Sequence, residues 1–464
     1  MKKIILFLLP FFAMAASAQQ PDQSFNNAFK KFTADANLKH ATVGLLVINT
    51  SNGKIVTDAH SETGVAPAST QKVITAATAY SLLGKDFTYK TTLGYTGEVI
   101  NGVLNGDIVI KGSGDPTLGS WRYSSTNEKK IIEQFKAAIS QQGIHEITGH
   151  VIPDENIWTD EATPDGWVWQ DIGSYYGAGA RGLNWRENQY DLWLRSGGSL
   201  GDSVKISGTE PAFIDGLYLR SRATAAAKST GDRAYIYHPL NNKFGFVRGT
   251  IPIDENKFTI SGAMPHPARQ LAITLEAALK NTSPESIVAA QPEEINIPSP
   301  VKNFYTHTSP TLDSISYWFL KKSINLYGEA LLKTIGQNSG VAGSTESGLE
   351  ALHAFWKKQG LQPYAINMAD GSGLSPGNRV TPRSLVKVLQ YAKTQSWFGS
   401  YYDGFPIIHG IRMKSGSING VLSYTGFVKN KKGEEYVFAF IVNNYDGGGN
   451  AMRQKMWALL DVLK

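Results

Sequence analysis

The chain contains no cysteine among its 464 residues. This absence excludes disulfide bonds, thiol nucleophiles, thiolate metal sites and a lipid anchor attached through an N-terminal cysteine. Charged residues make up only 18% of the sequence, too few for a disordered chain, and 42% hydrophobic residues can bury large cores. The nine histidines show no paired metal-ligand spacing. We therefore expect a well-packed protein without a bound metal or other cofactor.

Long hydrophobic runs are also missing, apart from one at the N-terminus. Lys2 and Lys3 precede an apolar run over residues 4–13, and Ala16-Ser17-Ala18 follows as a small-x-small cleavage site. This pattern predicts a signal peptide over residues 1–18 and export to the periplasm. No later segment reaches the length of a transmembrane helix, so we expect none in the mature chain. The net charge of +6 is too diffuse to indicate nucleic-acid binding.

The first candidate for chemistry is Ser69-x-x-Lys72, which opens an alanine-rich apolar run that ends at Gly84. The run predicts a buried helix with Ser69 in its first turn, where free backbone N–H groups favour developing negative charge. Lys72 lies on the same helical face as Ser69. A lysine held away from water loses affinity for its proton and can accept that of the hydroxyl. The motif alone is common by chance, so it needs partners.

The order of predicted elements indicates one domain interrupted by another. A strand over residues 42–49 and a hairpin lead into the Ser69 helix. At the other end, four helices (312–322, 326–335, 346–359 and 382–393), a β pair (420–429 and 435–443) and a helix (451–463) follow. We predict that residues 19–92 and 301–464 complete one sheet flanked by helices, an α/β (α+β) domain. Residues 93–300 are predicted to be a β-rich insertion of two subdomains with a single helix at 128–142.

Two further short motifs carry polar groups that suit a peptide substrate. Ser323-Ile324-Asn325 lies between two predicted helices, and a short extended link there would point the serine and asparagine side chains the same way. The hydroxyl can relay a proton and the amide can bind a peptide group, although ordinary helix capping explains the residues equally simply. Lys414-Ser415-Gly416-Ser417 precedes the β pair, and on an edge strand it could bind a terminal carboxylate. An exposed lysine in a turn is the alternative.

Taken together and in this order, the three motifs resemble those of the penicillin-recognising serine enzymes. The long segment between Ser69 and Ser323 narrows the resemblance to the class C low-molecular-mass penicillin-binding proteins, the D-alanyl-D-alanine carboxypeptidase/endopeptidase family. Further matches cover nearly the whole mature chain: Gly112-Ser113-Gly114-Asp115-Pro116-Thr117-Leu118, Gly166-Trp167-Val168-Trp169 and Asp370-Gly371-Ser372-Gly373-Leu374-Ser375. The resemblance implies a penicillin-binding transpeptidase-like fold.

The resemblance also implies roles for individual residues. Ser69 would be the acylated nucleophile, Lys72 its base and Ser323 a proton relay. Asn325 would bind the substrate amide, and Lys414 and Ser415 would bind its terminal carboxylate. The backbone N–H groups of Ser69 and Ser417 would stabilise the oxyanion. Asp154 matches a position that could bind the free amine of a diaminopimelate side chain.

Two positions depart from the family pattern. Ile324 stands where a polar residue, often aspartate, is usual, which removes a polar group from between Ser323 and Asn325. Ser415 replaces a threonine and keeps the hydroxyl. A separate group of aromatic residues is interpreted as a core cluster rather than a sugar-stacking surface: Trp167, Trp169, Tyr175 and Tyr176.

The resulting hypothesis is an exported serine DD-peptidase that cleaves D-alanyl-D-alanine bonds or cross-links in peptidoglycan peptides through an acyl-enzyme. β-Lactam antibiotics would be covalent inhibitors. A serine β-lactamase of the same fold is one alternative, and a non-catalytic cell-wall-binding protein is another. The sequence indicates neither an oligomeric state nor a protein partner.

Overall fold

The computed structural model describes residues 21–159, 161–240, 242–290 and 299–464. The predicted signal peptide, residues 1–18, lies outside the described residues. Helices are, in chain order, α1 (Pro21–Thr33), α2 (Lys72–Leu83), α3 (Glu128–Gln141), α4 (Trp169–Ile172), α5 (Pro267–Lys280), α6 (Pro284–Ala290), α7 (Leu312–Lys322), α8 (Asn325–Asn338), α9 (Thr345–Lys358), α10 (Pro382–Lys393), α11 (Phe398–Asp403) and α12 (Gly449–Asp461).

Strands of the first half are β1 (Thr42–Asn49), β2 (Ile55–Ala59), β3 (Lys90–Tyr95), β4 (Glu98–Ile100), β5 (Val103–Asn105), β6 (Ile108–Lys111), β7 (Glu146–Ile147), β8 (Val151–Asp154), β9 (Gln189–Arg195), β10 (Lys205–Glu210) and β11 (Tyr218–Ser221). Strands of the second half are β12 (Thr224–Ala226), β13 (Arg233–Tyr237), β14 (Phe244–Pro252), β15 (Phe258–Ala263), β16 (Lys302–Thr308), β17 (Ile366–Asn367), β18 (Arg379–Val380), β19 (Ile407–Ile408), β20 (Ile411–Ile418), β21 (Val421–Lys429) and β22 (Glu435–Asn443).

A six-stranded antiparallel sheet organises the domain that holds the three motifs. Its order is β19-β20-β21-β22-β1-β2, so the first and last parts of the chain complete one sheet as the sequence predicted. In β1, Leu46 and Ile48 pack against the helices on one face, whereas Leu45 and Val47 pack against α1 and α12 on the other. Burial on both faces explains the nearly continuous apolar run of this strand. The predicted α/β architecture with helices on both sides of the sheet is confirmed.

The β-rich region between these parts forms its own core. Strands β9, β14 and β15 and helices α3 and α5 contribute buried residues to this core. The prediction of a single helix in this region is wrong, because Pro267–Lys280 forms α5 with a proline at its start and a largely buried inner face. The Pro267 start and the apolar spacing that follows it were the available signals.

The predicted domain boundaries at 92/93 and 300/301 fall within one small sheet. Strand β3, which spans the first boundary, pairs with β16, which follows the second, and β6 and β8 continue the sheet. The two chain crossings between the regions are therefore hydrogen-bonded to each other. The exact boundaries stay a prediction.

Candidate active site

Ser69 lies in a tight turn that leads directly into α2. The turn, Ala68–Gln71, is a 3₁₀ helix rather than the predicted first α-helical turn, and Lys72 is the first residue of α2. The buried Ala68 has a φ of 47°, a left-handed conformation that is unfavourable for a residue with a Cβ atom. The turn places the Ser69 hydroxyl at the mouth of a cleft, with the Lys72 ammonium 3.0 Å from its Oγ.

Lys72 is fully buried and its ammonium has three oxygen acceptors. It donates to Ser69 Oγ at 3.0 Å, to Asn325 Oδ1 at 2.6 Å and to the Ser372 carbonyl at 2.6 Å. Burial lowers the pKa of Lys72 to about 7, although the nearby carboxylates of Asp370 and Glu329 favour the charged form. A large fraction of Lys72 is therefore neutral near pH 7, and a neutral amine can accept the Ser69 proton across the same contact.

Ser323 and Asn325 both reach this site, but not through the extended link that the sequence predicted. Ser323 ends α7 in a left-handed conformation with a φ of 58°, Ile324 is extended, and Asn325 begins α8. The Ser323 hydroxyl accepts a hydrogen bond from Lys414 Nζ at 3.0 Å. Asn325 bonds Lys72 through its oxygen and donates its nitrogen to the Tyr176 carbonyl at 2.7 Å. The left-handed residue redirects the chain, so both side chains reach one pocket.

The third motif lies on β20, whose outer edge is largely uncovered. Strand β19 pairs only with the first two residues of β20. The N–H of Met413, the next residue, donates to the Pro406 carbonyl outside the sheet. Backbone groups alternate between the two edges of an antiparallel strand, and the β20–β21 register runs without a bulge. The N–H groups of Ser415 and Ser417 therefore point to the same open edge as that of Met413. Ser417 lines the cleft together with Ser69.

Lys414 is buried beside Lys72, and its side chain connects the third motif, in which it lies, to the second motif, Ser323-Ile324-Asn325. Its ammonium donates to Ser323 Oγ at 3.0 Å and to the Ser415 carbonyl at 2.7 Å. Burial, followed by the positive charge of Lys72, holds the pKa of Lys414 well below its usual value. An arriving carboxylate would oppose both effects and stabilise the charged form.

Gly416 allows this strand to contact the turn that carries Ser69. A Cβ atom at this position would lie 2.7 Å from the backbone nitrogen of Ser69, 2.7 Å from the Pro67 carbonyl and 2.4 Å from Ser423 Oγ. We therefore expect Gly416→Ala to displace Ser69 and to reduce the rate of its acylation by about 10²-fold. The matched control is Gly399→Ala, where a Cβ atom meets nothing within 4 Å. Equal acylation rates in Gly416→Ala and the wild type would contradict this close approach.

A buried carboxylate, Asp370, organises the loop behind Lys72. Its oxygens accept hydrogen bonds at 2.6–3.0 Å from five donors: the side chains of Gln71, Trp167 and Asn378 and the backbone N–H groups of Gly373 and Ser375. The loop in turn supplies the Ser372 carbonyl that Lys72 bonds. The sequence identified residues 370–375 as one of the segments that match the family, but it assigned no role to Asp370.

Asp370→Ala is expected to cost about 3–5 kcal/mol of the stability of this domain. It leaves the Trp167 side chain and the N–H groups of Gly373 and Ser375 without an acceptor and removes one of two acceptors from the side chains of Gln71 and Asn378. Urea unfolding followed by tryptophan fluorescence measures the loss. Asp403→Ala, which removes an exposed carboxylate, is the control and should change stability by less than about 0.5 kcal/mol. Similar losses in the two variants would show that the Asp370 hydrogen bonds do not stabilise the loop.

Glu329 is a second buried carboxyl group that the sequence did not single out. It lies one turn after Asn325 on α8 and accepts a hydrogen bond from the Gly371 N–H at 2.9 Å. Burial and the Asp370 charge raise the pKa of Glu329 to about 8, so its carboxyl is largely protonated near neutrality. Of these two carboxyl groups, Asp370 therefore has the larger effect on the pKa of Lys72.

The cleft in front of Ser69 has a volume of about 1050 Å³ and lies between the motif-bearing domain and the inserted region. Ser323, Asn325 and Ser417 line it, and so does the half-buried Ile324, which presents an apolar surface where the resemblance implied a polar one. Residues of the inserted region form the opposite wall: Arg122, Val168, Gln170, Asp171, Tyr175, Tyr176, Glu187, Gln189 and Tyr235. The insertion thus contributes directly to the cleft.

The structure does not place Asp154 among the residues that line this cleft. Asp154 ends β8 and its carboxylate accepts a hydrogen bond from the Asn156 N–H at 3.1 Å. Two acidic residues line the cleft: Glu187, whose carboxylate is paired with Arg122, and Asp171, in which burial raises the pKa of the carboxyl. Sequence reasoning missed Asp171, although it follows Gly166-Trp167-Val168-Trp169 by two residues. A role for Asp154 stays a prediction.

The aromatic residues near Asp171 do not form the single core cluster that was predicted. Trp167 is buried and donates to Asp370 Oδ2 at 2.9 Å. Trp169 and Tyr175 are 45% and 52% exposed, so the core interpretation is wrong for these two. Within the described ranges, no group of three or more histidine, aspartate or glutamate side chains is arranged to hold a metal ion.

Comparisons with known proteins agree with this geometry. The model of the D-Ala-D-Ala carboxypeptidase 3 (S13) family matches residues 25–463. D-alanyl-D-alanine carboxypeptidase DacB of Haemophilus influenzae is 25% identical over 433 residues, which cover 88% of this chain and 86% of that protein. The D-alanyl-D-alanine carboxypeptidase of Actinomadura sp. (strain R39) is 25% identical over 482 residues, covering 95% and 86%.

Solved structures show the same fold. The crystal structure of penicillin binding protein 4 from Haemophilus influenzae matches with a TM-score of 0.76 at 22% identity, covering 95% of this chain and 99% of that one. A structure of the same relative in complex with a β-lactam matches with a TM-score of 0.70 at the same identity and coverage. Because the family model spans nearly the entire sequence, the chain belongs to the D-Ala-D-Ala carboxypeptidase 3 (S13) family.

Proposed function

We propose that this protein is a serine DD-peptidase that cleaves D-alanyl-D-alanine bonds, D-alanyl cross-links, or both, in peptidoglycan peptides. The observation that carries the proposal is the convergence of three distant segments on one cleft. Lys72 Nζ lies 3.0 Å from Ser69 Oγ, and Lys414 Nζ lies 3.0 Å from Ser323 Oγ. The first pair supplies a nucleophile and its base, and the second supplies a cation beside another hydroxyl. Together they suit attack on a peptide that ends in a carboxylate.

In the acylation step, neutral Lys72 accepts the Ser69 proton while Oγ attacks the carbonyl carbon of the scissile bond. The backbone N–H groups of Ser69 and Ser417 would donate to the oxyanion that forms. The Asn325 amide binds the substrate's peptide group.

The proton that Lys72 took from Ser69 then passes through the hydroxyl of Ser323, which is bonded to Lys414, to the leaving D-alanine amine as the C–N bond breaks, and Lys72 is neutral again for the second step. Lys414 and the Ser415 hydroxyl would bind the terminal carboxylate of that D-alanine. Water attacks the acyl-enzyme in the second step, with Lys72 accepting its proton, and the peptide leaves with a free carboxyl group. Because Ile324 stands where the family usually has a polar residue, a polar contact beside this relay is missing. We expect this difference to alter substrate preference.

Asp171 is the cleft carboxylate available to a cationic side chain of the substrate. Its position in the wall formed by the inserted region suits the free amine of a diaminopimelate residue, the role first predicted for Asp154. Residues 1–18 are proposed to direct the chain to the periplasm, where such substrates lie. No helix in the described part of the chain is both long and apolar enough to cross a membrane.

Incubation with fluorescent penicillin tests this function against its two rivals. The relative of known structure binds a β-lactam, and we expect a stable covalent label on Ser69 together with D-alanine release from wall peptides. Rapid loss of the label would indicate a β-lactamase. Absence of any label, with no D-alanine release, would indicate a binding protein that kept only the fold.

The rate of acylation should depend on pH through Lys72. Its reactive form is the neutral amine, and its pKa is lowered to about 7 from the ordinary 10.5. Below pH 7 the rate should therefore fall about tenfold for each pH unit, and above pH 7 it should level off. Stopped-flow measurement of penicillin acylation between pH 5 and pH 9 gives the profile. A profile that is still rising at pH 9 would show that Lys72 keeps its usual proton affinity.

A further inference from the structure

One sheet of the inserted region has an outer face whose composition the reaction does not explain. Strand β14 lies between β13 on one side and β11 and β12 on the other. Val247 and Ile236 are paired across β14 and β13 and point into the core of the inserted region. Because side chains alternate along a strand, their neighbours in sequence point away from that core.

The outward neighbours are mainly aromatic residues and arginines. We call this surface the aromatic–arginine face and define it by Tyr218, Arg220, Arg233, Tyr237, Phe244, Phe246 and Arg248. Phe244 and Tyr218 are 66% and 59% exposed, which is unusual for large aromatic side chains. Folding the domain does not account for such exposure.

The aromatic rings of the face form two groups in contact, Tyr218 with Phe244 and Trp169 with Tyr237 and Phe246. The rings of Tyr218 and Phe244 lie 5.5 Å apart, and those of Tyr237 and Phe246 are stacked at 5.1 Å with an angle of 12° between their planes. The ring of Trp169, itself 45% exposed, lies 5.7 Å from that of Tyr237. Rings held against each other in this way are already ordered before a ligand arrives.

The charge of the face has one sign. The four strands contain Arg220, Arg233 and Arg248 but no aspartate or glutamate. The Arg248 guanidinium lies 4.7 Å above the Tyr237 ring and donates to its hydroxyl at 2.9 Å, and that of Arg222 lies 4.5 Å above Phe246. Arginines fixed on aromatic rings retain free N–H groups that can donate to carboxylates.

The aromatic–arginine face is continuous with the catalytic cleft. Trp169, whose ring contacts that of Tyr237, begins α4, and its neighbours Val168 and Gln170 line the cleft. Tyr235, which is paired with Arg248 across β13 and β14, also lines it. A polymer whose peptide occupies the cleft would therefore pass over this face.

We propose that the aromatic–arginine face binds peptidoglycan strands and holds the polymer while one of its peptides enters the cleft. The exposed rings of Tyr218, Phe244 and Trp169 offer surfaces for sugar rings, and the arginines suit the carboxylates of the wall peptides. This inference rests on the proposed function for its choice of polymer. Charge complementarity and continuity with the cleft favour this occupant over a lipid surface or a nucleic acid.

Retention of the full-length protein by purified peptidoglycan sacculi tests the proposal. Every protein in the comparison carries Ser69→Ala, so that none cleaves the sacculi and the cleft contributes equally to the binding of each one. Differences in retention then report the face. We expect the wild-type face to be retained and retention to weaken with salt. Tyr218→Ser/Phe244→Ser and Arg220→Gln/Arg233→Gln should each weaken binding by about tenfold, because each removes two contacts of the face.

The matched control is Arg195→Gln/Tyr364→Ser, which changes an exposed arginine and an 89% exposed tyrosine elsewhere. It should be retained like the wild type, and circular dichroism shows whether each variant is folded. Equal retention of both face variants and the wild type would overturn the proposal. So would binding to anionic lipid vesicles or to DNA that is as tight as binding to sacculi. Failure of penicillin to label Ser69 would instead overturn the proposed function, since the Ser69→Ala protein tests the face independently.

Discussion

Ser69→Ala is expected to abolish both penicillin labelling and release of D-alanine, with a loss of at least about 10⁴-fold in the rate of peptide cleavage. The acyl-enzyme needs an oxygen at this position, and alanine removes the atom that forms the covalent bond. The remaining site would still bind the substrate, because Lys414, Asn325 and the cleft walls are unchanged. Fluorescent penicillin followed by gel electrophoresis measures the labelling, and chromatography of the released D-alanine measures the cleavage.

Ser81→Ala provides the control for that experiment. Ser81 lies near the end of the same helix, and its hydroxyl donates to the Ala77 carbonyl and lies 3.5 Å from the Tyr391 hydroxyl. The control variant should label and cleave like the wild type. Covalent label that persists in Ser69→Ala would mean that another side chain is the nucleophile.

Lys72→Met is expected to reduce the rate of acylation by about 10³–10⁴-fold while leaving the protein able to bind the substrate. Methionine keeps the length of the side chain but removes the nitrogen that accepts the Ser69 proton. It also leaves the Ser372 carbonyl and Asn325 Oδ1 without their donor, so Asn325 loses one of its two fixed contacts. Single-turnover acylation separates the loss in the chemical step from any change in binding.

Two further measurements make the Lys72 prediction specific. The residual activity of Lys72→Met should lose the pH dependence with a midpoint near 7, since that titration belongs to the missing amine. Lys387→Met, which changes an exposed lysine on α10, should leave the rate and its profile intact. A Lys72→Met enzyme that keeps the wild-type pH profile would exclude Lys72 as the base.

Much of the fold of the motif-bearing domain was predictable from local sequence pattern. The bounds of β1, β22, α7 and α10 agree with the predicted strands and helices to the residue. These elements have strong periodicity and clear end signals, such as Thr381 before Pro382 in α10. The inserted region was harder, because its short strands and its single-turn helix α4 carry little periodic signal, and the regular helix α5 was overlooked.

The site residues fall into two groups by how they could be found. Ser69, Lys72, Ser323, Asn325 and Lys414 lie in short motifs whose order and spacing resemble those of a family. Asp370 lies in a segment that matches the family but received no role, and Glu329 and Asp171 lie in no quoted motif. The importance of all three comes from burial and from contacts with residues far away in the chain. A carboxylate in a loop looks the same in sequence whether it accepts five hydrogen bonds or none.

The sequence alone determined the nucleophile motif, the family resemblance, the strands and helices of the main domain and the absence of thiol chemistry, because these depend on residue type and local spacing. Only the tertiary structure decided the strand order and register of the predicted sheet, how a left-handed Ser323 directs the second motif into the cleft, and that the insertion forms a cleft wall with an aromatic–arginine face. Those features depend on contacts between residues more than 100 positions apart. Local pattern carries no information about which distant groups will share a desolvated pocket, and that desolvation is what lowers the pKa of Lys72.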